Sequence, residues 1–492
     1  MWSSSLHDSS NARNVNLNNG NVNNNTRSNV NTNNRVRAFL ALKVNKPLFY
    51  ERYLGMKDLV VKENWIPLED FFSAYKDCRR RKRTTMNALK FEVNYEDNLV
   101  QLWKDVNQRK YKVGKSITFI VTRPKLREIF AADFRDRVIH HVIMQRLEPL
   151  FENILIEDTY SCRKEKGTLY GVQRLRDKIK EISNNYTEDC WIGKFDIKGF
   201  FMSINKPILW NKLKTFIETN YQGSDKDTLL YIVEKTVLNR PQDNCVRKSP
   251  ELMWSGLPAN KSLFTCHEDC GIPIGNLTSQ CFANFYLDEF DHILSNMFNG
   301  YYGRYVDDFY VLAKSKKEIT RRVKFIRTWL WKNLRLTLHP DKTYIQHYSK
   351  GVRFIGSVVK KDRVRVGNVM LGNFYSAIHR FNVLDNTREN AIDLVHTANS
   401  YLGLMIHQDS FERRKKLVDM LDRKWRGIVY TDKNYSKLIL SKEYNPSSKI
   451  KTDLRKNRKE TIKKIFSDNT KTLKDVDISD ISEELFWMEF LR

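Results

Sequence analysis

Cysteine is scarce in this sequence. Its 492 residues hold seven, scattered along the chain, too few and too dispersed for a disulfide framework. Cys266 and Cys270 lie four apart with His267 between them and Cys245 upstream. No fourth ligand stands at a zinc-like spacing, so reduced thiols are expected. No uninterrupted apolar stretch reaches the roughly 18 residues of a membrane span. The polar N-terminus has no apolar signal core, and no internal repeat is visible. Together these absences point to the cytoplasm of a bacterial or phage-infected cell, with no membrane partner. Acidic residues are also in deficit, 58 against 85 Lys plus Arg, which leaves a net charge of +27. An excess of that size needs an anionic outlet, nucleic acid first and a membrane surface second. The 41% of apolar residues are enough for a sizeable core, and the length fits roughly two to four structural units.

Residues 1–45 are compositionally foreign to the rest. Thirteen Asn fall between Asn11 and Asn34, and almost nothing there could build a core, so disorder is expected. Residues 57–112 read as mostly helical, with a basic cluster at Arg79, Arg80, Arg81, Lys82 and Arg83 that suits either phosphate contact or a solvated helix end. In KSITFIVTRPKLREIFAA (115–132) two β-rich runs flank a proline-bearing turn, a hairpin signal. Residues 133–151 follow as an amphipathic helix with Val138, Ile139, Val142, Ile143, Leu147 and Leu150 on one side. WIGKFD reads as a buried strand, 207–240 as helical, and 241–266 as a polar loop or insertion. A turn and a long helix are expected over 271–297, a hairpin over 301–313, and a helix over 316–333. LRLTL and VRFIGSVV read as strands, and 372–425 as helical. Residues 447–464 hold eight Lys or Arg against two acids, and the C-terminus ends in an aromatic patch of Phe486, Trp487 and Phe490.

The acids carry the chemistry. Asp307 and Asp308 sit at a hairpin tip between apolar strands, and Asp196 ends another apolar strand. If those strands are neighbours, three carboxylates converge at one sheet edge. They cannot all stay ionised there without cations, because like charges raise each other's pKa. Two Mg²⁺ ions supply hard coordination, and such a pair about 4 Å apart stabilises an in-line phosphoryl displacement. An Asp-Asp pair in a turn is common by itself, so the neighbouring motifs decide.

The order FDIKGFF, GIPIGNLTSQ, YVDD, LTLHPDKT and VRFIG resembles the palm motifs of reverse transcriptases, over about residues 60–425. The resemblance implies a right-hand polymerase fold of α/β class with an α+β palm: fingers at 46–190, palm at 191–365 with the insertion at 241–266, a helical thumb at 366–430, and a basic extension at 431–492. It makes Asp196, Asp307 and Asp308 catalytic and, with the backbone of Ile197, the ligands of two Mg²⁺ ions. Phe201 would lie against the sugar and favour deoxynucleotides, Phe200 being the core residue. Arg127, and more weakly Lys125, would contact the incoming triphosphate, and Lys342 would lie near the leaving pyrophosphate. Ile274, Gly275 and Gln280 would line the nucleotide site, and Phe354, Ile355 and Gly356 would form the turn that grips the primer. Arg163, Lys164 and Lys166, with Gly167, form a basic stretch near template or nucleotide, or else a solvated turn.

Within that family, Ile274 is apolar where many retroviral enzymes have Gln, and the motif ends Ser279-Gln280 where group II intron enzymes have Ser-Pro. This resembles the enzymes of diversity-generating retroelements and some defence-associated bacterial relatives, as do REIFAADFRDRVIHH and SYLGLMIHQDS. Losing a polar side chain at position 274 forfeits a hydrogen bond worth on the order of 1 kcal/mol, and with it some base discrimination. The N-terminal stretch from Trp2 to Arg37, WSSSLHDSSNARNVNLNNGNVNNNTRSNVNTNNRVR, resembles the end of a variable, lectin-like target protein of such an element. Asn codons begin with two adenines, so residues 1–45 read as translated template repeat, with Met56 an in-frame start. The resemblance then implies error-prone copying of a template RNA into cDNA at adenines, from dNTPs and a primer, with a small basic accessory protein, so as to diversify a target gene. The alternative within the family is a phage-defence enzyme with the same palm. From another class, a non-catalytic RNA-binding scaffold would need degenerate acids, and here all three are present.

Overall fold

Three short helices open the described chain: α1 (Leu68–Arg79), α2 (Met86–Val93) and α3 (Tyr95–Asn107). The apolar stripe of α1, with Leu68, Phe71, Ala74, Tyr75 and Cys78 buried, recurs at helical spacing. A computed structural model describes residues 62–80, 85–122 and 125–444. The Asn-rich segment, Met56, Arg81 to Arg83, the 447–464 run and the C-terminal aromatic patch lie outside the described residues. The chain divides into two compact units, Met1–Trp65 and Ile66–Arg492, and every helix and strand described here belongs to the second.

The hairpin expected over 115–132 is formed by β1 (Ser116–Val121) and β2 (Arg127–Ala131), antiparallel with Ile117 opposite Ala131 and Val121 opposite Arg127. α4 (Phe134–Ile154) is capped by Asp133, which accepts the Arg135 amide. Val138, Ile139, Val142, Ile143 and Leu147 are fully buried, each contributing roughly 1.5–3 kcal/mol on burial. α5 (Thr168–Ile182) leads to the central strand β3 (Trp191–Asp196) and the single turn α6 (Phe200–Ser203).

The helical stretch at 207–240 is two helices, α7 (Lys206–Asn220) and α8 (Lys226–Val237). The expected polar loop at 241–266 contains β4 (Cys245–Arg247) and the turn α9 (Leu252–Ser255), and β4 pairs parallel with β1. The long helix expected at 271–297 is broken at Leu287 into α10 (Leu277–Tyr286) and α11 (Asp288–Met297).

β5 (Tyr302–Tyr305) and β6 (Asp308–Ala313) form the acidic hairpin, followed by α12 (Lys316–Leu334) and β7 (Tyr344–His347). The sheet order is β5-β6-β3-β7, all antiparallel. LRLTL is not a strand. It runs beside the end of β3 with one bridge, Ile197 to Leu338, because its bonds go to irregular backbone: Lys198 N donates to Thr337 O and His339 N to Asp196 O.

β3 explains how the sheet is used. Its Trp191, Gly193 and Phe195 face belongs to α12 and α11. A Cβ on Gly193 would meet Ile319 Cγ2 at 2.8 Å, and Phe309, stacked on Phe195, meets Phe290 edge-on. On the opposite face Ile192 joins Leu312, Tyr310 and the α5 residues Val172, Leu175 and Ile179 in one core. That face turns polar at its far end, where Lys194, Asp196 and Asp308 follow.

VRFIGSVV becomes β8 (Val352–Phe354) and β9 (Ser357–Val359) around a tight turn, with β10 (Val364–Val366) alongside. α13 (Asn368–Val383), α14 (Arg388–Met405) and α15 (Phe411–Asp419) then share a core built around Phe374, Phe381, Leu394, Leu402 and Trp425. The ribbon β11 (Val429–Thr431) and β12 (Leu438–Leu440) packs into the same core through Val429 and Leu438. The helical unit therefore runs on past residue 430, where the sequence had placed a separate extension.

Candidate active site

Antiparallel pairing sets Asp196, the last residue of β3, directly opposite Asp308, the first of β6. Asp307 occupies the turn between β5 and β6, and its carbonyl accepts the Ile197 amide at 3.1 Å. The three acids therefore meet at one sheet edge. Burial pushes the Asp307 carboxyl up to about 6, reinforced by the charges of Asp196 and Asp308. Burial also raises Asp308, while Lys194, 3.0 Å away, pulls it down. Lys342 Nζ lies 3.0 and 3.1 Å from the two Asp196 oxygens.

The turn carrying these acids is strained. Val306, a β-branched residue, has φ +58°, which costs on the order of 1–3 kcal/mol. A buried network holds it. Ser161 Oγ accepts the Val306 amide at 3.3 Å, and Arg304 Nη1 donates to the Val306 carbonyl at 3.0 Å. The Arg304 guanidinium also bonds Asp291 through two nitrogens at 2.7 and 2.6 Å, and reaches both oxygens of Asn284. Asp291 further accepts from Tyr302 and Thr159. The sequence reading missed this network. Its signal was a cation, Arg304, inside an apolar strand, which requires a buried acid.

The other residues singled out in the sequence fall in several environments. Lys125 and Arg127 are exposed on the β1–β2 hairpin. Burial raises the Tyr305 hydroxyl and the Arg127 charge lowers it, so the hairpin cation is within electrostatic reach of the YVDD strand. Phe201 is half-buried and Phe200 is 2% exposed. Ile274 packs against the cluster of Phe130, Met202 and Leu263, and its carbonyl accepts the Phe130 amide. Gly275 has φ +118°, and a Cβ there would meet Ile129 Cγ2 at 3.0 Å. Gln280 is exposed and accepts the Cys162 thiol at 3.3 Å.

Phe354 is 1% exposed and packs edge-on against Tyr310. It anchors the turn from below, and Ile355 (φ +45°) and Gly356 (φ +78°) form the turn itself. The basic stretch is largely committed to the protein. Arg163 bonds Glu152 and the carbonyls of Ile156 and Thr159, with its side chain only 5% exposed. Its guanidinium thus ties down the chain after α4 and is not presented to a nucleic acid. Lys166 donates to the Glu157 carbonyl at 2.7 Å. Lys164 alone is highly exposed, paired with Glu148.

The donor chemistry fits hard divalent cations. Three carboxylates share one edge, and the two near lysines offset charge that an ion would otherwise neutralise. Among the described residues no group of three or more His, Cys, Asp or Glu is placed so that it could hold a metal ion as it stands. No helix among them is long and apolar enough to cross a membrane.

Residues 115–359 match the family model described as reverse transcriptase (RNA-dependent DNA polymerase). Two curated relatives match the chain at low identity. Protein YkfC of Escherichia coli (strain K12) is 21% identical over 281 residues, 50% of this chain and 66% of that protein. Nuclear intron maturase 1, mitochondrial, of Arabidopsis thaliana is 22% identical over 258 residues, 42% of this chain and 35% of that protein. The chain thus spans less than two thirds of either relative. Among solved structures, apo telomerase from Candida tropicalis overlays 63% of this chain and 55% of its own at a TM-score of 0.40 and 11% identity, a likeness too slight to argue from.

Proposed function

We propose, from the match of residues 115–359 to the reverse transcriptase (RNA-dependent DNA polymerase) family model, that this chain copies a template-repeat RNA into cDNA with errors at adenines. The cDNA would then diversify a target gene. One observation carries the polymerase reading: Asp196 and Asp308 are register partners, with Asp307 on the turn beside them. Asp196, Asp307, Asp308 and the Ile197 backbone would hold two Mg²⁺ ions. When bound, such ions neutralise charge and favour in-line phosphoryl displacement.

The chain's own residues do the rest. Arg127 and Lys125 bind the triphosphate from the β1–β2 hairpin. The half-buried Phe201 ring abuts the sugar, where a 2′-hydroxyl would clash. Lys342 Nζ, beside Asp196, meets the leaving pyrophosphate. The Ile355–Gly356 turn positions the primer end. The partners are template RNA, primer, dNTPs and a small basic accessory protein.

The diversifying subtype rests on the Asn-rich segment and on Ile274. The likeness to an intron maturase covers too little of that protein to carry its activity across. The test is to copy a defined RNA with Mg²⁺, template RNA and accessory protein, and to sequence the DNA. Errors concentrated opposite template adenines support the reading. Errors spread evenly over the bases would remove the diversifying function and favour the defence alternative, leaving the polymerase intact.

A further inference from the structure

The segment at 241–266 has no role in the account so far, yet it is bonded to both sides of the nucleotide site. On the fingers side, β4 extends the Arg127 hairpin as a third strand, pairing parallel with β1 from Ser116 to Thr118. Ile120 N donates to Ser249 Oγ at 3.0 Å, and Lys248 N to Thr118 O at 2.8 Å. Glu128, next to Arg127 and fully buried, accepts three bonds from the segment. They come from Trp254 Nε1, Ser262 Oγ and the Leu263 amide, each at 2.7 Å. Charge-assisted bonds of this kind are among the stronger ones a protein makes.

On the palm side the same segment lies against the turn that carries Phe201. Phe130 of β2, Leu263 of the segment and Met202 of α6 form one small buried core. A Cβ on Gly199 would meet Asn260 O at 2.7 Å, and Gly199 has φ +55°. The chain leaving the segment then closes the circuit, since Ile272 N donates to Phe201 O at 2.9 Å.

We propose that residues 241–266 are a strap that sets nucleoside triphosphate affinity and sugar selectivity by fixing the Arg127 hairpin against the Phe201 turn, with Glu128 as its main positioning residue. The inference rests on the reading of Arg127 and Phe201 as nucleotide contacts. A solvated loop would need neither a buried carboxylate nor a core shared among fingers, strap and palm. The strap acts on where the hairpin rests, so it governs binding more than the chemical step.

The test is steady-state extension of a primer on a homopolymeric RNA by the full chain, with the accessory protein supplied and with the matching deoxy- and ribonucleoside triphosphates. Glu128→Gln keeps the shape but turns an amide NH₂ toward buried donors. It is expected to raise KM for the deoxynucleotide about tenfold, to leave kcat within about threefold, and to lower discrimination against the ribonucleotide. Trp254→Phe removes one donor and keeps the ring, so KM should rise about threefold. Leu252→Ala, at a strap residue 81% exposed, should change nothing. Unchanged KM in both Glu128→Gln and Trp254→Phe overturns the proposal, as does a parallel fall of kcat and melting temperature with KM unmoved. A wild type that extends beside unaffected variants refutes the strap alone. A wild type that never extends refutes the proposed function and the strap with it.

Discussion

Arg304 and Asp291, beneath the YVDD turn, have fully buried side chains joined by two hydrogen bonds. Asp196 and Asp308, at the end of the same sheet, are held by lysines instead. Lys342 is 54% exposed against 14% for Asp196, and Lys194 is 17% exposed against 25% for Asp308. The buried pair cannot trade its partner for water or an ion without leaving a bare charge in the core. Lys342 can swing away at little cost, because a long exposed side chain gains solvation as it leaves. One cluster therefore holds the geometry of the strained turn. The other keeps the carboxylates ready for a partner of greater charge.

The comparison can be broken by removing one acid from each cluster. Asp196→Ala should abolish primer extension, by about a thousandfold or more, the rate equivalent of about 4 kcal/mol. Its unfolding free energy should stay within about 1 kcal/mol of wild type. Asp291→Ala should do the reverse where stability is concerned, costing about 3–5 kcal/mol in a denaturant titration because Arg304 is left buried without its acid. If Asp291→Ala unfolds like wild type, Arg304 is not the buttress of the turn.

A third carboxylate sharpens the contrast. Asp136 is 1% exposed and accepts from the Tyr111 hydroxyl at 2.7 Å and the Gly114 amide at 2.9 Å. Burial pushes it up to about 6 from 3.8. A carboxyl raised in the folded state binds its proton more tightly there than in the unfolded chain. Its contribution is therefore present below about pH 4 and lost as pH rises toward 6, by about 2–3 kcal/mol. Asp136→Asn should flatten that slope, as measured by unfolding at a series of pH values, and an unchanged slope would contradict it. The smallest effect belongs to the surface. Lys164→Ala, at a residue 84% exposed, should shift stability by no more than about 0.5 kcal/mol.

What could be read from the sequence was whatever had a local period. The β1–β2 hairpin, the stripe of α4 and the YVDD hairpin all announce themselves within a dozen residues. The meeting of Asp196 with Asp307 and Asp308 followed from motif order. What failed was whatever depends on a distant partner. LRLTL alternates like a strand, but its hydrogen bonds go to the irregular backbone after β3. Arg163 read as part of a basic stretch near template or nucleotide because a sequence displays a charge and hides Glu152 and the carbonyls that occupy it. The 241–266 segment looked like a polar loop because the residue that organises it, Glu128, lies more than a hundred positions upstream.

The most direct measurement is primer extension by the full chain on an RNA template with Mg²⁺, wild type beside Asp307→Ala, with template RNA and accessory protein supplied. DNA from the wild type and none from a variant of equal melting temperature is the result this account expects. Equal extension by the two proteins, or none by the wild type, would contradict it.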